Sequence, residues 1–317
     1  MDVAWLGLLG LLLAGWSVLD GATLGLGASL RRLGRDGPER RLLLTAAGPF
    51  LLGGEVWLVA AAGILIGAFP GLEKDLLYAC YPLVVGLVVA WVLRDIGVWF
   101  RSRRPSRAWR NGWEVVVVAA STAVPFAWGL LLATVVQGVP TDGRPGVETL
   151  VGPYSLLWGA VVVAVFTLHG AVFAALRLPP ERRTRAAGTV RRAGGAALAL
   201  LAAVAVATPA SGVGLAHPLP AAALGLAAAA AVALATRLFA AGRDGRAYAC
   251  TAVAAAAPVF AAGLASAPRL LDGIAAAGTL DLLTVVVAPL LPVLLAVQAW
   301  MWWTFRHRVG VGSAVFF

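Results

Sequence analysis

Nine long apolar runs alternate in this chain with short loops, and nearly all of its arginines fall in every second loop. The odd-numbered loops hold Arg31, Arg32, Arg35, Arg40 and Arg41, then Arg101, Arg103, Arg104, Arg107 and Arg110. Next come Arg177, Arg182, Arg183, Arg185, Arg191 and Arg192, then Arg237, Arg243 and Arg246, with Arg306 and Arg308 in the tail. The even-numbered loops hold only Lys74, Arg144 and Arg269. Positive charge beside a span resists translocation and stays on the cytoplasmic side. A soluble protein has no reason to sort its charge in this way. The pattern predicts an all-α polytopic protein of the bacterial inner membrane, with about nine transmembrane helices, the N-terminus outside and the C-terminus cytoplasmic.

Composition agrees. Of 317 residues, 61% are hydrophobic and 13% charged, and the mean hydropathy is +0.88. Each run is about 20 residues, enough to cross the ~30 Å hydrocarbon core. What remains is short loops, with no room for a soluble catalytic domain. The chain therefore reads as one transmembrane domain, residues 1–317, with a first helical bundle at about 4–138, a second at about 152–267 and a last helix at about 280–304. The net charge of +10 is spread over several loops, which fits anionic lipid headgroups and argues against nucleic acid. One lysine against 24 arginines reads as the codon bias of a GC-rich genome. Cys80 and Cys250 sit inside apolar runs without metal-ligand spacing and read as small buried side chains. The first run lacks a basic start and its arginines follow it, as in a span that stays in place.

The apolar runs are 4–29, 43–69, 76–98, 113–138, 152–176, 194–213, 219–240, 248–267 and 280–304. Barrel-strand alternation is absent, so helices are the expected spanning form. The later runs are rich in alanine, as at Ala227 to Ala231 and Ala254 to Ala257, which suits close helix packing. Aromatic residues gather at the ends, as at Trp99, Phe100, Trp109, Trp113, Trp300, Trp302 and Trp303, where they anchor to the interface.

Chemistry is concentrated in the first five runs. An unpaired charge at the centre of a span costs about 2.5–3.5 kcal/mol on insertion scales, so an intramembrane ionisable group is a functional candidate. The candidates are Asp20, Glu55, Arg94, Asp95, Glu114 and His169. At a rise of ~1.5 Å per residue, Asp20 lies roughly 13 Å and Glu55 roughly 18 Å from the cytoplasmic ends of their runs. In an antiparallel hairpin the two carboxyls stand at adjacent depths, stepping inward as a proton-uptake path would. The plainer reading is that each is protonated or hydrogen-bonded and serves packing. Arg94 and Asp95 read as a neutralised pair near a helix end. Glu114 reads as a carboxylate complementing a helix N-terminus. His169 reads as a hydrogen-bonded structural residue. It has no second intramembrane histidine to face, since His217 falls in an outer loop and His307 in the tail, so haem ligation by this chain is not expected.

Several motifs then resemble one family in order and spacing. The segment Leu19-Asp20-Gly21-Ala22-Thr23-Leu24-Gly25-Leu26-Gly27 resembles the DGFDLGVG signature of subunit II of cytochrome bd-type quinol oxidases. Arg40-Arg41, Gly48-Pro49 and Gly53-Gly54-Glu55-Val56-Trp57-Leu58 resemble its ERR, GP and WDGNEVWL elements, and Ala68-Phe69-Pro70 its AAFP. Leu93-Arg94 through Phe100-Arg101-Ser102 is similar to LRGVAFEFRSK. Trp109-Arg110-Asn111-Gly112-Trp113, Gln137-Gly138-Val139-Pro140, Pro153-Tyr154-Ser155 and Leu168-His169-Gly170 continue the match to about residue 177, and Ala299-Trp300 with a basic tail closes it.

The resemblance implies a subunit without bound cofactor of its own. It would pair with a larger subunit I that carries haems b and d, oxidises quinol and reduces oxygen, with small accessory subunits as further partners. It also implies a proton path through Asp20, Thr23, Glu55 and Asp95, and motif positions Gly21, Gly25, Trp57, Arg94, Arg101, Trp113 and His169. The chain departs from the family at its acidic positions. Thr23 replaces the second Asp of DGFD, Leu51-Leu52 the Trp-Asp of WDGNE, Gly54 its Asn, and Trp99 the Glu of FEFR, while Asp95 stands where glycine is common. Leucine cannot hand on a proton, so either another route exists or the chain keeps only an assembly role. A stand-alone secondary transporter is the alternative from another class. It would call for an inverted repeat, and the later half holds no second copy of the Asp20–Trp57 pattern.

Overall fold

The computed structural model describes residues 1–139 and 150–310. Among these, nine helices are long and apolar enough to cross a membrane. We label them α1 (Asp2–Ala28), α2 (Gly37–Ala68), α3 (Pro70–Phe100), α4 (Arg107–Gln137), α5 (Pro153–Arg177), α6 (Arg183–Ala210), α7 (Pro218–Ala240), α8 (Asp244–Leu271) and α9 (Ala277–Thr304). This is a multi-pass membrane protein. Pro140 and Arg144, used above, lie outside the described residues.

Most helices begin earlier than their apolar runs, because hydropathy marks the hydrocarbon segment while capping sets the true start. Asp36 caps α2 by accepting from the Glu39 amide at 2.8 Å, and Pro38 sits in the first turn, where a missing N–H costs nothing. Ser106 caps α4. The largest difference is α6, which starts at Arg183 instead of about 194 and takes Arg183, Arg185, Arg191 and Arg192 into helix. Arginine is a good helix former, and its long stem lets its head reach water from the first turns of a span. Helix α3 is kinked: Cys80 departs from helical geometry (φ −103°, ψ 15°) two residues before Pro82, whose ring cannot continue the regular ladder.

Helices α1, α4, α5 and α8 pack against one another at the centre. Helix α2 lies on α1 and α3 on α4, while α6 lies on α5 and α7 on α8. Helix α9 packs chiefly on α2. Glycines set the central crossings. A Cβ on Gly25 would run into the Phe166 carbonyl, and one on Gly170 into the Leu26 amide, so α1 and α5 touch backbone to backbone. Gly129 and Gly159 do the same for α4 and α5, where a Cβ on Gly129 would stand 2.6 Å from the Gly159 Cα. At the end remote from the arginines, two loops are joined by backbone bonds, Gly71 N–H to Gly273 O at 3.1 Å and Ala275 N–H to Ala68 O at 2.9 Å. Helices α2 and α3 are splayed. Together with α1, α4 and α8 they border an open apolar cleft of about 820 Å³, whose walls include Trp16, Leu58, Leu87, Trp91, Trp128 and Phe260.

Candidate functional site

The site begins with a glycine. A Cβ on Gly54 would lie 3.0 Å from the Asp20 Cβ and amide, so its absence lets α2 close on α1 at that level. The next residue, Glu55, is thereby set beside Asp20. From α3, Arg94 reaches inward and is 1% exposed. Its Nη1 donates to Asp20 Oδ1 at 3.1 Å and Thr23 Oγ1 at 3.2 Å. Its Nη2 donates to Asp20 Oδ2 at 3.2 Å and Glu55 Oε1 at 3.1 Å. Three helices thus meet on one guanidinium, whose planar fork matches carboxylates on two sides.

The partners differ in freedom. Asp20 is fully buried, and both its oxygens are committed. They take the fork of Arg94, the Trp16 indole at 3.3 Å and the Thr23 hydroxyl. Glu55 accepts from Arg94 and from Trp91 Nε1 at 3.0 Å, and its side chain is 15% exposed. Asp95 is 31% exposed, with Oδ1 2.7 Å from Arg94 Nε. That contact is an ion pair by distance but lies off hydrogen-bond geometry, so both atoms lack a hydrogen bond among the described residues. Asp95 is also within hydrogen-bonding reach of Glu55.

The structure thus brings together all four expected path residues, Asp20, Thr23, Glu55 and Asp95. Asp20 and Glu55 do stand at adjacent depths. Arg94 does form the expected ion pair with Asp95, but it also makes a bidentate pair with Asp20 on another helix, where a buried carboxylate stabilises the buried cation. Leu52 is 69% exposed on α2. Trp16 and Trp91 were not singled out in the sequence. Helical spacing carries that signal, with Trp16 four residues before Asp20 and Trp91 three before Arg94.

A second buried network lies at the arginine-rich ends. Glu114 is 1% exposed and is held by Arg40 Nη1 at 2.6 Å and by Arg101 Nε at 2.9 Å and Nη2 at 2.6 Å. Arg101 also donates to the Gly37 carbonyl at 3.0 Å. The expected role of Glu114 at a helix N-terminus is corrected. Helix α4 starts at Arg107, two turns earlier, and Glu114 instead ties α2, α3 and α4 together through two arginines.

The remaining motif residues serve packing. Gly21 faces the Phe166 ring, whose nearest atom would lie 3.1 Å from a Cβ. The Trp57 ring covers Gly15, and its indole donates to Gln298 on α9 at 3.3 Å. Trp113 packs on Phe100 and Trp109, with ring centroids 5.5 Å and 5.7 Å away. His169 is fully buried. Its Nδ1 meets Thr251 Oγ1 at 2.7 Å, its Nε2 meets the Val18 carbonyl at 2.9 Å, and Tyr248 stacks on the ring at 4.7 Å. Both ring nitrogens are engaged. Among the described residues, no group of three or more His, Cys, Asp or Glu side chains is placed to hold a metal ion.

Nine spans, with a buried arginine–carboxylate cluster between the first three, define a polytopic membrane protein built around intramembrane charge. A sequence model of the family described as "Cytochrome bd terminal oxidase subunit II" matches residues 1–305. The chain belongs to that family. Cytochrome bd ubiquinol oxidase subunit 2 of Bacillus subtilis (strain 168) is 28% identical over 324 residues, which cover 96% of each chain. Cytochrome bd-I ubiquinol oxidase subunit 2 of Escherichia coli (strain K12) is 29% identical over 195 residues, 59% of this chain and 52% of that one. The fold matches a chain of the bd oxidase from Geobacillus thermodenitrificans with a TM-score of 0.76 and 17% identity, covering 96% of this chain and 98% of that one. The relatives are named as subunits of an oxidoreductase complex.

Proposed function

We propose that this chain is the haem-free subunit II of a bd-type quinol:oxygen oxidoreductase in a bacterial inner membrane. In this reading the arginine-rich ends are cytoplasmic, a haem-bearing subunit I is the partner, and the chain both scaffolds that partner and supplies it with protons. Reducing one oxygen molecule to two waters consumes four electrons and four protons. The partner's haems b and d would carry electrons from quinol, and the protons must cross a low-dielectric region. The haem-free assignment rests on His169, whose ring nitrogens are both occupied by Thr251 and Val18.

The observation that carries the proton role is the charge count around Arg94. One buried cation faces three carboxyl groups, Asp20, Glu55 and Asp95. Asp20, with its bidentate pairing, balances Arg94. Glu55 and Asp95 are carboxyls in excess of that balance, and both are part-exposed. In this reading Thr23 and Asp20 relay the proton, and the part-exposed Glu55 and Asp95 pass it on.

The same pair favours a docking face. Glu55 and Asp95 are part-exposed among Leu52, Val56, Val92 and Trp99 on α2 and α3. Carboxyl groups facing acyl chains are costly. A protein partner over α2 and α3 covers them and receives the proton directly.

The test is to purify the tagged chain gently from its native membrane and record the reduced visible spectrum, then quinol-dependent oxygen uptake. A haem-bearing larger subunit that co-purifies supports the reading, and a haem-free preparation without one defeats it. If Glu55→Gln and Asp20→Asn complexes both turn over at the wild-type rate, the proton role is wrong.

A further inference from the structure

We propose that a single water molecule is held between Thr23 on α1 and Ser121 on α4, and that Ser121 is the residue through which the Arg94 cluster communicates with the arginine-rich side. The proton role of this water rests on the function proposed above; its binding site does not.

Two independent observations define the site. The first is a small, partly open space of about 10 Å³ against the cluster, walled by Thr23, Gly27, Leu51, Arg94, Val117 and Ser121 among others. That is about the volume of one water, and a water needs polar partners to stay there. The second is the Ser121 hydroxyl. Ser121 is fully buried, and its Oγ has no hydrogen-bond partner among the described residues. Several helix hydroxyls in this chain donate to the carbonyl four residues back, as Ser17 does to Leu13, Thr122 to Val118 and Thr134 to Leu130. Ser121, which lines the cavity, forgoes that bond. Buried polar groups left unpaired point to a missing partner, commonly an ordered water.

The stereochemistry is consistent. Thr23 spends its single proton on Asp20 and accepts from Arg94, which leaves a lone pair for a water. Gly27, one turn further along α1, faces Ser121 directly, and a Cβ there would run into the Ser121 Oγ. Its missing side chain keeps the space open. Along α4, Ser121 lies seven residues beyond Glu114, on the same helix face. The water therefore sits between the Arg40–Glu114–Arg101 network and the Asp20–Arg94 pair. Proton passage here transfers no electrons. Ser121 gives its proton to the water as the water gives one to Thr23 Oγ1, Thr23 passes its own proton on to Asp20, and Ser121 takes up a proton from water on the arginine-rich side.

The experiment is a high-resolution cryomicroscopy map of the intact complex, paired with Ser121→Ala. Alanine is smaller and a good helix former, so the variant folds, and its haem content and thermal midpoint check that it does. We expect density within hydrogen-bonding distance of Thr23 and Ser121. It should be absent from Ser121→Ala, whose quinol-dependent oxygen uptake should fall severalfold at unchanged haem content. A map that resolves ordered interior waters elsewhere but leaves this space empty overturns the site. Wild-type turnover in Ser121→Ala overturns its role. If no haem-bearing partner co-purifies, the proposed function fails while the map still decides the water.

Discussion

At the residue scale, two of the buried arginines, Arg94 and Arg101, make the sharpest predictions. Removing one partner of a buried ion pair typically costs about 3–5 kcal/mol, because the other charge is stranded. Asp20→Asn strands Arg94, and Glu114→Gln strands Arg101. Both should lower the thermal midpoint of the purified protein clearly. Glu55→Gln should shift it little, since Arg94 keeps Asp20. Differential scanning fluorimetry on the three variants checks the order; a Glu55→Gln loss as large as that of Asp20→Asn would mean Arg94 depends equally on both carboxyls. The members of the cluster were legible in the sequence because intramembrane charge is rare enough to stand out. Their pairing was not. Arg94 and Asp95 are neighbours in sequence, yet Arg94's strongest bonds go to α1, 74 positions away. Only packing decides which of several carboxylates a guanidinium reaches, and the glycine at 54 carries that information without appearing ionic.

At the element scale, glycines at crossings separate from glycines at surfaces. Gly25→Ala drives a methyl into the Phe166 carbonyl, whereas Gly7 has nothing within 4 Å of a built Cβ. Gly25→Ala should abolish accumulation of folded protein, and Gly7→Ala should leave it unchanged or slightly higher, since alanine favours helix by about 1 kcal/mol over glycine. Quantifying folded protein after detergent extraction, for instance by fluorescence-detected size exclusion, reads both. Span number and order were legible from hydropathy. The ends were not, because a cap such as Asp36 or Ser106 lies in polar sequence that hydropathy discards. Likewise the Gly71–Gly273 junction is made of backbone atoms, which no side-chain pattern reports.

At the scale of the whole molecule, charge sorting and exposure make one prediction together. Helices α3 and α9 are among the least buried spans, and α2 carries Val59 at 64% exposure, α3 Val89 at 51%. On the opposite side, Val206 of α6 and Leu226 of α7 are 73% and 72% exposed. With single cysteines at these four positions, a thiol cross-linker should join the chain to its larger partner through Val59→Cys or Val89→Cys and not through Val206→Cys or Leu226→Cys. Cross-links confined to the α6–α7 side would place the partner there and leave Glu55 and Asp95 facing lipid. The arrangement of faces was not legible in the sequence, since alanine-rich and valine-rich helices are equally apolar and differ only in what they touch.

The sparse attachment of α9 has a consequence for biosynthesis. Helices α1 to α8 complete their mutual contacts without it, and it leaves the ribosome after all of them. Its docking is therefore a late event, guided by the joined loops at Gly71 and Gly273 and by Trp57 bonding Gln298. Until α9 emerges, the side of α2 bearing Gly53, which Met301 later covers, stays open in the bilayer. A nascent chain halted in the loop before Ala277 would already hold the Arg94 cluster, assembled and waiting for α9.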